Sequence, residues 1–177
     1  MASALVHLPV FHFLEGTLQI PKQLQDLSIT IPMYTNLMIK GNQLHDSFTL
    51  PVQQPNLEVR EVLQHGQNDK NVKKLEIVSD LGFFTVRDLE DHLTQHHHVH
   101  PSFVAVLIVP PDKSMVLCFN QTSICLFESH THGLQGGIIA TSSSGHVSNF
   151  VKYLERMAMR DWKNGLHGSN LAILRLK

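Results

Sequence analysis

The sequence predicts an α+β fold in which N-terminal helices pack on a central, mainly antiparallel sheet. The second half of the chain holds several short apolar runs, rich in β-branched residues and separated by turn residues. One strongly amphipathic helical pattern lies before the last of these runs. Helical patterns precede the strands, an order typical of α+β proteins. The chain has 177 residues, which fits a single domain large enough to bury a core.

The N-terminal part has the weakest pattern. Residues 1–45 are predicted to be irregular, because prolines interrupt them and their apolar positions follow no single period. Within them, Tyr34 to Ile39 could form a short strand. Asn56 could then cap a helix that Gly66 would end.

The middle of the chain predicts one short strand and one well-defined helix. Leu75 to Val78 is apolar enough for a strand. Thr85 and Asp88 have the spacing of a capping box, in which the two side chains bond each other's backbone N–H groups. The helix that they open, from Val86 to about Gln95, should end before the proline that follows His100.

The second half predicts a sheet-plus-helix core over 100–177 of a single domain spanning 1–177. Ser102 to Val109 is a continuous apolar run, as expected for a strand buried on both faces. Apolar residues recur with helical spacing from Val147 to Ala158. Further strands are predicted over 114–119, 123–127, 138–141 and 171–176.

Composition excludes several classes of function. Fourteen Lys and Arg against fifteen Asp and Glu leave a net charge of −1, so neither nucleic acid nor anionic lipid is an expected partner. No apolar run is long enough to cross a membrane.

The two cysteines, Cys118 and Cys125, are expected to be buried thiols in a reducing compartment. The N-terminus lacks secretory-signal features, so we expect a cytoplasmic or nuclear protein; the sequence does not fix its oligomeric state.

The most informative polar segment runs from Leu126 to Gly133 and follows a predicted strand. Glu128 and His130 are two residues apart, and strand side chains alternate, so both should lie on one face. The carboxylate would then hold one ring nitrogen and leave the other to act as a base. An ordinary Glu–His contact in a surface loop would have the same local pattern.

A second group of candidates comes from the 13 histidines. His92 and His96 are four residues apart on a predicted helix, a spacing that can hold zinc. Either His130 or His132, together with Glu128, could complete a site. The chain has no HExxH or CxxC motif, and histidine runs beside a proline are often solvated, so His92, His96 and His132 are weak metal candidates. No cofactor is predicted.

The last predicted helix carries one basic face. Lys152, Arg156, Arg160 and Lys163 lie along it, with Trp162 beside them. Such a face is usually only solvated. The alternative is a face that binds a protein partner.

Residues 103–177 resemble the C-terminal half of the papain-like cysteine proteases of the herpesvirus tegument deubiquitinase type. The segment Leu126-Phe127-Glu128-Ser129-His130 matches the family's strand end, Leu/Phe-Phe-Asp-Ser/Pro-His. Residues 136–140 and the helix containing 150–154 match the elements that follow, and residues 38–45 resemble a segment after the family's first helix. The resemblance implies a papain-like fold, with Glu128 and His130 as the catalytic acid and histidine.

The chain departs from that family in two ways. Its acid is Glu128, one methylene longer than the family's aspartate. The family's nucleophile is a cysteine near the start of the domain, and no cysteine precedes Cys118 here; Ser47 has no recognised triad spacing. The resemblance therefore implies a catalytically inactive or impaired peptidase domain that acts as a protein-interaction module, with ubiquitin, a ubiquitin-like protein or a ubiquitin-pathway protein as partner.

Three alternatives stay open. The chain could be an active cysteine-type deubiquitinase or peptidase that uses Glu128 and His130 with a nucleophile not identifiable here. It could be a metal-binding protein built on the histidine cluster. It could also be a structural subunit that packs against another chain.

Overall fold

The computed structural model describes residues 58–66, 74–130 and 136–177, together with His132, Leu134 and isolated positions between 32 and 46. The chain divides into two compact units, Met1–Lys74 and Leu75–Lys177. The predicted irregular part at 1–45 and the packing of N-terminal helices on the sheet lie mostly outside the described residues.

In the first unit, helix α1 spans Val59–His65. Its N-cap is Glu58, whose backbone N–H donates to Glu61 Oε2 at 2.9 Å. The helix ends at Gly66 as predicted. It begins at Val59, later in the chain than a helix capped by Asn56 would begin. Positions 35, 36 and 39 are helical, so the predicted strand at 34–39 is wrong. A short apolar run does not separate strand from helix by periodicity alone.

The second unit is built on a six-stranded antiparallel sheet with the strand order β1-β6-β2-β3-β4-β5. The strands are β1 (Leu75–Phe84), β2 (Phe103–Val109), β3 (Lys113–Phe119), β4 (Ser123–Glu128), β5 (Ile138–Ser143) and β6 (Ser169–Leu176). The antiparallel sheet predicted for this half is therefore present. It also takes in all of β1, which runs well past Val78 because β6 supplies backbone partners as far as Phe84.

Helix α2 spans Val86–Val99 and has the predicted capping box. Thr85 donates its backbone N–H to Asp88 Oδ2 at 2.8 Å, and Asp88 donates its own to Thr85 Oγ1 at 3.2 Å. The helix runs past Gln95 to the residue before His100. Proline disfavours helical geometry only at the residue that directly precedes it, so the preceding histidines continue the helix.

Helix α3 spans Val147–Trp162 and is preceded by one 3-10 turn, Ser144–His146. Its apolar residues are buried with those of α2 against one face of the sheet. That face includes Ile124 and Leu126 of β4. Because side chains alternate along a strand, Glu128 lies on this helix-covered face as well. The buried residues of the helices are Leu89, Leu93, Val147, Phe150, Val151, Leu154, Met157 and Ala158.

Across the described residues, none of the helices combines the length and the apolar character that crossing a membrane requires.

Candidate acid–base site at the end of strand β4

Glu128 and His130 are in contact, as their spacing predicts. Glu128 is the last residue of β4 and is fully buried. Its Oε1 atom accepts the backbone N–H of His130 at 2.6 Å and also contacts His130 Nδ1. An ionised carboxylate only accepts hydrogen bonds, so the proton of a neutral His130 ring lies on Nδ1. The lone pair is then on Nε2, which is the arrangement of a general base.

The extra methylene of Glu128 is accommodated by a second histidine. The carboxylate bridges two residues that follow it in the chain, with Oε1 in contact with Nδ1 of His130 and Oε2 in contact with Nε2 of His132. Both oxygens of one buried carboxylate therefore have an imidazole partner. This bridging explains how a side chain longer than aspartate is held in one position.

His132 continues the chain of polar contacts towards helix α3. Its ring is buried, and its Nδ1 lies 2.7 Å from Asp161 Oδ2. Both ring nitrogens thus face carboxylate oxygens, one from Glu128 and one from Asp161. The contact connects the segment after β4 to the last turn of α3.

Asp161 has a second partner besides His132, the guanidinium of its neighbour Arg160. Arg160 donates from Nε to Oδ1 at 2.6 Å and from a terminal nitrogen to Oδ2 at 2.7 Å. Arg160 first, and His132 after it, hold the pKa of Asp161 down at about 2. Asp161 is therefore a carboxylate at neutral pH, although its side chain is only 9% exposed.

Asp161 and the bridging role of His132 are the parts of this site that the sequence interpretation misses. One signal for Asp161 is present. It lies seven residues after Leu154, so it continues the buried stripe of α3, where a carboxylate needs a polar partner.

Trp162 packs beside both histidines. Its ring lies edge-on to His130 with 5.9 Å between ring centroids, and 5.8 Å from His132 at a tilt of 33°. Its Nε1 is buried and has no hydrogen-bond partner among the described residues. The indole therefore shields one side of the site from water, while the His130 side chain stays 17% exposed.

The two thiols lie on the other face of the sheet. Cys118 of β3 is directly opposite Cys125 of β4, and both are free and buried, as predicted. Cys125 is three residues before Glu128 on one strand, so their side chains point to opposite faces. Burial raises the pKa of both thiols well above the ordinary value. The sheet thus separates both thiols from His130.

The histidines of α2 have a different environment. The ring of His96 lies 4.6 Å from Phe103 and 4.9 Å from His100, between centroids, and burial lowers its pKa. The described residues contain no group of three or more His, Cys, Asp or Glu side chains arranged to hold a metal. The three metal candidates therefore do not form such a group: His92 and His96 lie on α2, and His132 follows β4. Their role as metal ligands stays a prediction.

Comparison with known proteins supports the fold alone. The sequence matches no known family profile and no curated protein. Among solved structures, the chain is similar to the Pseudomonas avirulence protein AvrPphB, with a TM-score of 0.54 and 8% identity over 99% of this chain and 91% of that one. AvrPphB has the fold of a papain-like cysteine protease. The chain therefore has a mixed α/β structure with weak similarity to that fold.

Proposed function

We propose that this chain is a papain-like peptidase domain that binds a protein partner without cleaving it. The observation that carries the proposal is the separation of the thiols from His130 by the sheet. Glu128 and His130 are in contact, as the acid–base pair of a thiol protease would be, whereas Cys118 and Cys125 are buried on the other face. These are the only cysteines in the sequence.

The chemistry of the thiols supports the same conclusion. A cysteine nucleophile acts as the thiolate, which forms readily where a neighbouring positive charge or a helix N-terminus lowers the pKa. Here burial raises the pKa of both cysteines, and Cys118, directly across the strand pair, raises the pKa of Cys125 further. Neither thiol meets the electrostatic requirement of a nucleophile.

The proposed partner is ubiquitin or a ubiquitin-like protein. Its support is the resemblance of the segment Leu126 to His130 to the tegument-type deubiquitinases, together with the similarity in fold. A papain-like cleft can hold an extended C-terminal tail through contacts that do not require bond cleavage. Loss of a nucleophile removes turnover and leaves such ground-state binding in place.

Titration of isotope-labelled ubiquitin with the unlabelled chain tests this partner. We expect chemical-shift changes concentrated at the ubiquitin C-terminus, and a weaker interaction with ubiquitin that lacks its last residues. Unchanged spectra at a large excess of the chain would exclude ubiquitin as the partner. The same titration with a ubiquitin-like protein shows whether ubiquitin or the ubiquitin-like protein is the partner.

One observation favours a second function. Since His130 is held by Glu128 and stays partly exposed, it could act as a base for a nucleophile that neither cysteine supplies. Hydrolysis of a ubiquitin C-terminal fluorogenic amide, abolished by His130→Gln and unaffected by Cys118→Ala with Cys125→Ala, would establish this active form. Absence of hydrolysis supports a domain that binds its partner without cleaving it.

A further inference from the structure

Helix α3 presents a set of cations on the side that faces away from the sheet. Lys152, Arg156, Arg160 and Lys163 are all exposed and follow one another at intervals of three or four residues. Such spacing places side chains along one side of a helix. Three of the four belong to α3 itself, and Lys163 is its C-cap. The cations therefore form one continuous stripe.

Of the two acidic residues in the same helix, only Asp161 pairs with a cation of this stripe, Arg160. Glu155 accepts the backbone N–H of Leu166 through Oε2 at 2.6 Å. Asp161 lies between Arg160 and His132. Lys152 and Arg156 have no carboxylate partner within the described part of the chain. A chain with a net charge of −1 thus concentrates positive charge on one helix face.

Two apolar side chains lie on the same face. Met159 is 52% exposed and Tyr153 is 38% exposed. By helical spacing, Met159 lies beside Lys152 and Lys163, and Tyr153 lies beside Arg160. Single exposed apolar residues are ordinary on protein surfaces. Here two of them flank the cations of the stripe, a combination that can bind both charge and apolar surface.

We propose that this surface binds an acidic, partly apolar segment of a protein partner. We call it the α3 face: Lys152, Tyr153, Arg156, Met159, Arg160 and Lys163. Charge complementarity selects acidic side chains, while Met159 and Tyr153 select apolar ones. A nucleic acid would use only the cations, and the net charge of −1 opposes its approach to the chain as a whole. The proposal does not depend on ubiquitin binding or on His130.

The test uses the full chain and a synthetic peptide of Glu and Leu that matches the 16 residues of α3 in length. Titration of the isotope-labelled chain should perturb the α3 face, and affinity should fall as salt is raised. Lys152→Glu with Arg156→Glu should weaken binding by about tenfold or more. The control, Arg87→Glu with Lys177→Glu, makes the same change in net charge on exposed residues elsewhere and should change affinity by less than about twofold.

Three results would overturn the proposal. The first is a titration that leaves the α3 face unperturbed, whether or not the peptide binds elsewhere. The second is equal affinity for a peptide with Gln in place of every Glu, which would make the contact purely apolar. The third is tighter binding of an oligouridylate of matching charge to the same face, which would identify a polyanion site instead.

Discussion

His132 Nδ1 lies 2.7 Å from Asp161 Oδ2, and this contact joins two parts of the chain that are 29 residues apart in sequence. Through it, the last turn of α3 positions the histidine that holds Glu128, and Glu128 in turn holds His130. The orientation of His130 therefore depends on packing of α3 against the sheet.

Removal of the Asp161 carboxylate should destabilise the second unit. In Asp161→Ala, the buried Nδ1 of His132 loses its acceptor, so the free energy of unfolding should fall by about 1–3 kcal/mol in urea titrations. The control is Asp112→Ala, because Asp112 is an exposed carboxylate paired only with its neighbour Lys113 among the described residues. The control should change stability by less than about 0.5 kcal/mol. Equal effects of the two substitutions would contradict the account.

Acid should weaken the same contact. The pKa of Asp161 is about 2 in the folded chain against 3.8 ordinarily. A carboxyl whose folded pKa is lowered contributes stability that is present above its unfolded pKa and lost as the pH falls through the folded value. The free energy of unfolding should therefore decline between about pH 4 and pH 2. In Asp161→Asn that decline should be shallower, and parallel curves for the two proteins would show that Asp161 is not responsible.

The cysteines should be unreactive in the folded chain. Burial raises the pKa of the Cys118 and Cys125 thiols, and both side chains are inaccessible to solvent. An aromatic disulfide reagent should release no coloured thiolate when it is mixed with the native protein at neutral pH. It should titrate both thiols after unfolding in urea. Native reaction at the rate of a free thiol would contradict the burial described above.

The capping box at the start of α2 should contribute measurably to stability. Thr85→Ala removes the hydroxyl that accepts the Asp88 N–H, and it should cost about 1 kcal/mol in thermal or urea unfolding. Thr94→Ala changes the same residue type within α2, where alanine favours the helix, and should be neutral or slightly stabilising. Similar losses in the two variants would mean that the cap contributes little.

Strong periodic patterns make most of the second unit predictable from sequence. Strands β2 to β4 are apolar runs between turns, and α3 has a helical apolar stripe. The length of β1 is not predictable in this way, because its polar residues Ser79 and Asp80 are ordered by pairing with β6. Such pairing is a tertiary effect that no local pattern contains.

The candidate site is predictable only where its members are near in sequence. Glu128 and His130 share a strand end, so strand alternation brings them together. The contact between His132 and Asp161 depends on how α3 crosses the sheet, and local spacing carries no information about it. The separation of the thiols from His130 does follow from alternation, because Cys125 and Glu128 are an odd number of residues apart on β4.

The most direct test of the central claim is the intact mass of the chain after incubation with ubiquitin whose C-terminus carries a thiol-reactive electrophile. If the sheet keeps both thiols away from His130, the mass should stay unchanged under conditions that label an active cysteine deubiquitinase completely. An adduct at Cys118 or Cys125 that disappears in His130→Ala would contradict the account, because it would place a reactive thiol within reach of the Glu128–His130 pair.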